Sequence, residues 1–537
     1  MSAPFRFSFA LLGLGALVSV APACSSTPAP SGPPADYLIL SADTLSASAT
    51  RWRDWRAKDH VVQIGLVSAV VGNATTQADA TAAIHDWVKA RWSARDTKKP
   101  FYVLIVGDAN GDKVETTGVP VASAPSASGP VVTDNVFADM TDDGIPDLDI
   151  GRIPVSTDDD VDRVRAKIAK YESTYVVGPH ARRINLFAST SGFGEPADTL
   201  IETLVFKIVE EVPYDFDITM TYAKQDSPYV FVPERFSDKV YERINEGALM
   251  VAYVGHGYQQ GFATLEWNKA SFPILDTAQL SKIQDGPKAP LLTLIACATG
   301  AFSTGDSVSE AILRSAVGPV AILSSTENSH PYPNAIFVRE LGQVLAVQRA
   351  PTVGEAFRIA KERMIRNDDA LRKTIDNAVS SQIDSTERTD LKRSHLDMYT
   401  LFGDPAMRIA YPGAGATVTV PPTVAPGASA DVSVAVKDGI TTGNVLFTLE
   451  IARGDVRGAL QAVPADGDPG RDAIIEANYA MANQKVVVSA TATLAAGAAS
   501  AKLAVPADLA PGDYHVKVYA DDGARDVAGS AVLHVGP

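Results

Sequence analysis

Two residues in this chain could carry nucleophilic chemistry, and each stands at the end of an apolar run. Val251-Ala-Tyr-Val254 leads straight into Gly255-His256-Gly257, and Leu292-Thr-Leu-Ile-Ala296 leads into Cys297. A histidine between two glycines is exposed, with backbone free to approach a ligand. A cysteine thiolate is intrinsically nucleophilic, and a nearby imidazole helps to form it. Taken singly the signals are weak, because free cysteine is among the most buried residue types and usually serves as a small apolar filler. Two such residues, each closing a strand-like run, predict a pair. Cys297 is then the nucleophile, and His256 takes the thiol proton and later protonates the leaving amine. The backbone N–H groups of Gly257 and Cys297 are the expected oxyanion donors.

The elements that must position this pair are legible as short, continuously apolar runs. Tyr37–Leu40, Val61–Ile64, Tyr102–Val106, Ile184–Ala188, Leu249–Val254, Leu291–Ala296 and Val320–Ser324 read as buried strands. Hydrophobicity that does not alternate suits a parallel sheet covered on both faces. Between the runs lie helical patterns at 80–92, 161–171, 306–317 and 353–365, the third stopped by Gly318-Pro319. The alternation predicts a doubly wound, mostly parallel α/β region over 36–412, built as two subdomains, whose ligands bind at strand carboxyl ends. Adjacent strands lie about 4.8 Å apart, so residues at neighbouring tips face one another across a small crevice. After Pro412 the composition shifts to Val, Thr, Ala, Gly and Pro, with alternating stretches such as Ala430–Val436 and Lys485–Leu494. About seven such strands over 413–537 predict an all-β immunoglobulin-like sandwich.

Composition bounds the rest. The chain has 537 residues, 46% hydrophobic and 20% charged, which is ordinary globular content. Its 63 acidic residues exceed 47 basic ones, for a net charge of −16. That field argues against nucleic-acid partners and permits bound cations. Residues 1–23 read as a signal peptide: Arg6, an apolar stretch, then Ala21-Pro22-Ala23. Cleavage there exposes Cys24 at the head of a Ser/Pro-rich tether, 24–35, in the manner of a bacterial lipoprotein, although Ala21 stands where the lipobox usually has Leu. The expectation is export, with attachment to a membrane through lipid on Cys24; plain secretion is the alternative. Of the two cysteines, Cys297 is left as an unpaired thiol in an exported protein.

A second site is suggested by Asp134–Asp147. Carboxylates at Asp139, Asp143 and Asp147, with Thr141 between and Gly144 turning the chain, resemble the first half of a calcium loop without its distal glutamate. The competing reading is a solvated acidic turn. No cofactor is expected for catalysis. His330 reads as a loop residue and His395 as structural.

The ordered set of segments resembles the gingipain-type cysteine peptidases, which share the caspase-like α/β fold. The resemblance covers most of 36–412. It includes Tyr37-Leu-Ile-Leu40, Asp54-Trp-Arg-Ala-Lys58, Tyr102–Asp108, Pro146–Pro154, the His and Cys segments, Val320–Thr326 and Tyr399-Thr-Leu-Phe-Gly-Asp-Pro405. It implies a Cys297–His256 dyad forming a thioester with protein or peptide substrates, structural calcium, and an immunoglobulin-like domain after the catalytic one. Some relatives carry a glutamate that orients the histidine. Here Ser191 falls nearest that position, so Glu195 substitutes or the dyad suffices. The resemblance also makes Asp198 and Glu202 the candidates for the acid of an Arg- or Lys-selective pocket. The relatives' long propeptide has no counterpart between the tether and Asp36. Three activities fit the sequence: hydrolysis, transpeptidation by an amine that resolves the thioester, and a catalytically silent caspase-like surface lipoprotein acting as a binding or scaffold module.

Overall fold

The computed structural model describes residues 34–109, 114–126, 129–190, 195–437 and 439–536, with backbone alone for 195–201. The signal-peptide and tether assignments, with Cys24, lie outside the described residues.

Ten strands form one sheet, in the order Val62–Leu66, Tyr37–Ser41, Tyr102–Val106, Asp149–Ile153, Tyr399–Phe402, Ala321–Ser325, Leu291–Ile295, Met250–Val254, Arg183–Ser189, Asp217–Ala223. The first five run parallel to one another, as do the last five. The two sets meet where Ala321–Ser325 pairs antiparallel with Tyr399–Phe402. The strands Tyr37–Ser41, Tyr102–Val106, Leu291–Ile295 and Ala321–Ser325 are buried at every position, as their unbroken hydrophobicity requires. Crossover helices are capped as their sequences dictate. The Thr157 side chain accepts from Asp160 N–H at the start of Asp158–Ser173, and Ser307 with Glu310 forms a capping box on Val308–Arg314, just after the cysteine loop.

Segments far apart in sequence converge on buried ion pairs. Asp404 accepts from Tyr37 Oη (2.9 Å) and Arg56 Nε (2.7 Å), while Arg56 also holds Glu172 at 2.8 Å. Arg152, fully buried, makes a two-point bond to Asp134 at 2.7 and 2.8 Å and donates to the Gly107 carbonyl. Removing one member of such a pair strands a charge in the core, at a cost of about 3–5 kcal/mol.

The C-terminal part is an antiparallel sandwich of a three-stranded sheet (Ala416–Thr419, Ser429–Val436, Ala498–Ala504) and a five-stranded one (Thr423–Val424, Gly443–Glu450, Val486–Leu494, Gly512–Asp521, Asp526–Val535). Alternate residues Ala430, Val432 and Val434 face a core shared with Phe447, Leu449, Val516 and Leu533. The region 413–537 is not sandwich throughout. Between Glu450 and Val486 the chain leaves it, forms the helix Arg471–Asn483, and buries Ile475 and Tyr479 in the core of the α/β region.

Candidate active site

The strand Met250–Val254 pairs in register with Leu291–Ile295, Val254 opposite Ile295. His256 and Cys297 therefore leave adjacent strands at the same carboxyl end of the second parallel set. The Gly255 N–H donates to the Ile295 carbonyl (3.2 Å), carrying the pairing one residue beyond the strand. Gly257 then comes up against the cysteine loop. A Cβ built there would lie 2.8 Å from Thr299 Cγ2, 2.9 Å from Ala296 Cβ and 3.1 Å from the Cys297 carbonyl oxygen. Only glycine lets the two loops approach this closely.

The backbone of His256 is held on both sides while its side chain stays exposed. Its N–H donates to Ser189 Oγ (3.1 Å), and its carbonyl accepts from Tyr253 Oη (2.6 Å) and Ala263 N–H (3.0 Å). The Ser189 and Tyr253 hydroxyls are themselves 3.0 Å apart. Tyr253 is buried, and burial raises its phenol above the ordinary range. Ser189 ends the neighbouring strand, whose Ala188 lies opposite Val254. Neither residue was singled out from the sequence; Tyr253 read as one more apolar strand position.

Cys297 is a half-buried free thiol whose Sγ–H points to the Ser329 carbonyl at 3.6 Å. Ala298, next in the chain, is left-handed (φ 53°), and its N–H is bonded to the Glu327 carbonyl at 3.0 Å. Among the described residues the Cys297 N–H has no backbone acceptor. The Ala263 N–H bond to the His256 carbonyl makes the next antiparallel pair, Gly257 and Phe262, a non-bonded one that directs its N–H groups outward. Phe262 N–H accordingly goes to Leu275 (2.8 Å). Both N–H groups expected as oxyanion donors are thus unspent within the hairpin and the cysteine turn.

Two further elements lock the loops. The Gln259 side chain, at the tip of the histidine hairpin, donates to the carbonyls of Ala301 (2.9 Å) and Gly305 (3.0 Å), and the Gln259 backbone carbonyl accepts from Val308 N–H (2.7 Å). On the far side, His395 Nε2 accepts the His330 N–H (2.6 Å) while its Nδ1 bonds the Leu391 carbonyl (2.7 Å). This fixes one neutral tautomer. Burial holds His395 down to about 3. His395 is structural, as its sequence context suggested, but its contact is to the very segment that carries Ser329.

The remaining candidates divide. Glu195 opens the helix Glu195–Glu210 just beyond the Ser189 strand end; Ser191 and the side chains of Glu195 and Asp198 lie outside the described residues. Glu202 is already engaged: it accepts from Tyr222 Oη (2.6 Å) and pairs with Lys224 (2.7 Å). A substrate cation would have to displace Lys224 to reach it. The acidic turn carries the candidate calcium ligands Asp139, Asp143 and Asp147. Asp147 Oδ2 accepts from Met140 N–H, Thr141 N–H and Thr141 Oγ1, and Asp139 accepts from Asp143 and Gly144 N–H groups. Asp143 meets Ile145 N–H and Arg366, and its backbone carbonyl accepts from Arg393. The three carboxylates face backbone donors and arginines, and no cluster of three or more potential ligands forms among the described residues. As placed, they do not fit a calcium ion, which needs about six to eight converging oxygens.

The sequence pattern of Peptidase family C25 matches residues 31–410. Among solved structures, the chain resembles the Arg-specific cysteine proteinase gingipain R (RgpB) at 18% identity and a TM-score of 0.52, covering 95% of this chain and 100% of that one. A complex of the Porphyromonas gingivalis RgpB pro- and mature domains matches at 17% identity and a TM-score of 0.52, covering 93% and 100%. A structure described as a protease matches at 15% and 0.53, covering 94% and 98%. No curated protein sequence matches. A split, mostly parallel sheet with paired strand tips, followed by antiparallel sheets, is the caspase-like architecture of the gingipains. The chain belongs to peptidase family C25 and is a cysteine peptidase.

Proposed function

We propose that the chain is an exported endopeptidase that cleaves peptide bonds through a Cys297–His256 dyad, after Arg or Lys, from a lipid-anchored position on the cell envelope. The observation that carries the dyad is the contact of Gly257 with the cysteine turn, which puts the histidine hairpin against Cys297. His256 takes the Cys297 proton, and the thiolate attacks the scissile carbonyl carbon. The oxyanion is held by the Gly257 and Cys297 N–H groups. Collapse expels the amine with the proton from His256, leaving a thioester that water then hydrolyses. The dyad needs no cofactor. Specificity for a basic residue rests on the relative named as Arg-specific. Because Glu202 holds Lys224, Asp198 is the favoured pocket acid. Export and anchoring rest on the N-terminal sequence and Cys24.

The test is labelling and turnover with matched peptidyl electrophiles and substrates bearing Arg, Lys, Asn or Asp before the scissile bond. Wild type should be labelled at Cys297 and prefer Arg or Lys; Cys297→Ala should lose both labelling and turnover. Turnover surviving in pure Cys297→Ala sinks the dyad. Absence of labelling in wild type favours a scaffold role. Equal rates on basic and neutral peptides sink only the specificity.

A further inference from the structure

The excursion 451–485 reaches the hairpin that follows His256. That hairpin pairs Thr264–Trp267 with Ala270–Pro273 and begins one residue after Ala263, whose N–H holds the His256 carbonyl. Its two tip residues, Asn268 and Lys269, are left-handed (φ 47° and 71°), as a two-residue hairpin turn requires. The tip is held from outside. Asp466 Oδ1 accepts the indole N–H of buried Trp267 (3.0 Å), and Oδ2 accepts Asn268 Nδ2–H (2.8 Å). Arg471 donates to the same carboxylate at 2.8 Å and pairs with Glu234 at 2.6 Å, on the α/β side. Asn268 also forms a reciprocal pair with Gln225, just past the edge strand Asp217–Ala223 (3.0 and 3.2 Å).

The rest of the excursion is seated so that Asp466 has a fixed base. Asn483 bonds both the N–H and the carbonyl of Met220 on that edge strand (2.7 and 3.0 Å). Tyr479 Oη lies 2.8 Å from Thr221 Oγ1 and accepts from Arg243.

We propose that Asp466 is a positioning residue for His256: by fixing the tip of the hairpin that starts at the His256 carbonyl, it lets the C-terminal part of the chain tune the dyad. The inference rests on the peptidase reading above. A carboxylate on the excursion is bonded to a rigid two-stranded arm, and the root of that arm is the histidine loop. Loss of the bond leaves the tip with its Gln225 pair but without its brace on the excursion, and the displacement reaches His256 through Ala263.

The experiment compares wild type, Asp466→Ala, Asp466→Asn and Trp267→Phe, with Cys297→Ala alongside. It reads kcat and KM on one fluorogenic peptide, the pH dependence of Cys297 alkylation by iodoacetamide, and the melting temperature. Asp466→Ala should lower kcat by about 10-fold or more with KM nearly constant, since small displacements of a reacting group are costly. The alkylation profile should shift as well. Asp466→Asn keeps one oxygen acceptor and should recover part of the loss. Trp267→Phe keeps the buried ring, removes the N–H donor, and should reproduce the direction of Asp466→Ala even if that variant folds poorly. Unchanged kcat and alkylation profile in both Asp466→Ala and Trp267→Phe overturn the positioning role. So does a kcat loss fully explained by the unfolded fraction. If Cys297→Ala retains full turnover, the peptidase reading falls and this role with it.

Discussion

The N–H of His256 donates to Ser189 Oγ at 3.1 Å, so the proposed base is anchored to the strand beside its own as well as within its own hairpin. Tyr253 closes the arrangement by donating to the His256 carbonyl. Ser189→Ala should leave the His256 N–H in a half-buried site without an acceptor, a loss of about 1–3 kcal/mol. The expected outcome is a fall in kcat of about 10-fold with KM little changed. Steady-state kinetics on the purified variant check it, and wild-type kcat in Ser189→Ala would show that the loop is held adequately without this bond.

Gln259 joins the histidine hairpin to the cysteine loop through the Ala301 and Gly305 carbonyls. Gln259→Leu keeps the side chain's approximate size and removes both donors. The two loops then lose their side-chain tie and keep the backbone bond from Val308 N–H; kcat should drop by about 10-fold, with the alkylation rate of Cys297 dropping in parallel. If alkylation and turnover both match wild type, Gly257 packing and the backbone bonds suffice to set the distance.

The buried His395 gives a pH signature. Its ordinary value is 6.5 and burial pushes it down to about 3. Between those values the unfolded chain binds the proton and the folded chain does not. The stability it contributes is therefore full above pH 6.5 and is lost as pH falls toward 3, at about 1.4 kcal/mol per pH unit. Protonation would also remove the acceptor for His330 N–H, and the neighbouring His330 imidazole is lowered by burial too. In His395→Gln, urea unfolding measured from pH 7 to pH 4 should show a shallower loss than wild type. Identical slopes would mean that His395 is solvated or already charged in the fold.

The Asp139–Asp147 turn is held by its own carboxylates. Asp147→Ala removes the acceptor for three donors, at Met140 and Thr141. It should cost about 1 kcal/mol at this half-exposed site, equally with calcium and with chelator. A wild-type melting temperature that rises with calcium, and no longer does so in Asp147→Ala, would restore the metal site.

Much of the α/β region was legible because burial on both faces forces continuous apolar strands. Tyr102–Val106 and Leu291–Ile295 stand out in the sequence for that reason, and they deliver the residues that follow them to predictable ends. Tyr399–Phe402 did not read as a strand: it is short, and its antiparallel pairing with Ala321–Ser325 is a tertiary fact without a local signal. The partners of the acidic turn were not legible, because alternating carboxylates serve equally well as backbone acceptors, and the arginines that meet Asp143, Arg366 and Arg393, lie far along the chain. Ser189 and Tyr253 were missed because a hydroxyl at a strand position carries no sign of whom it will meet. The helix Arg471–Asn483 had ordinary helix-forming residues, but nothing local said that Ile475 and Tyr479 would pack into another region's core.

Asn483, Tyr479 and Arg453 all fasten onto parts of the chain made long before them; Arg453 alone donates to the carbonyls of Val209, Val212, Pro213 and Phe216. Synthesis runs from the amino end. A partly emerged chain thus carries its thiol and imidazole while the edge strand Asp217–Ala223 lacks its cover and the His256 arm lacks its brace. The residues made last are therefore the ones that cover the edge strand and reach the arm beside His256.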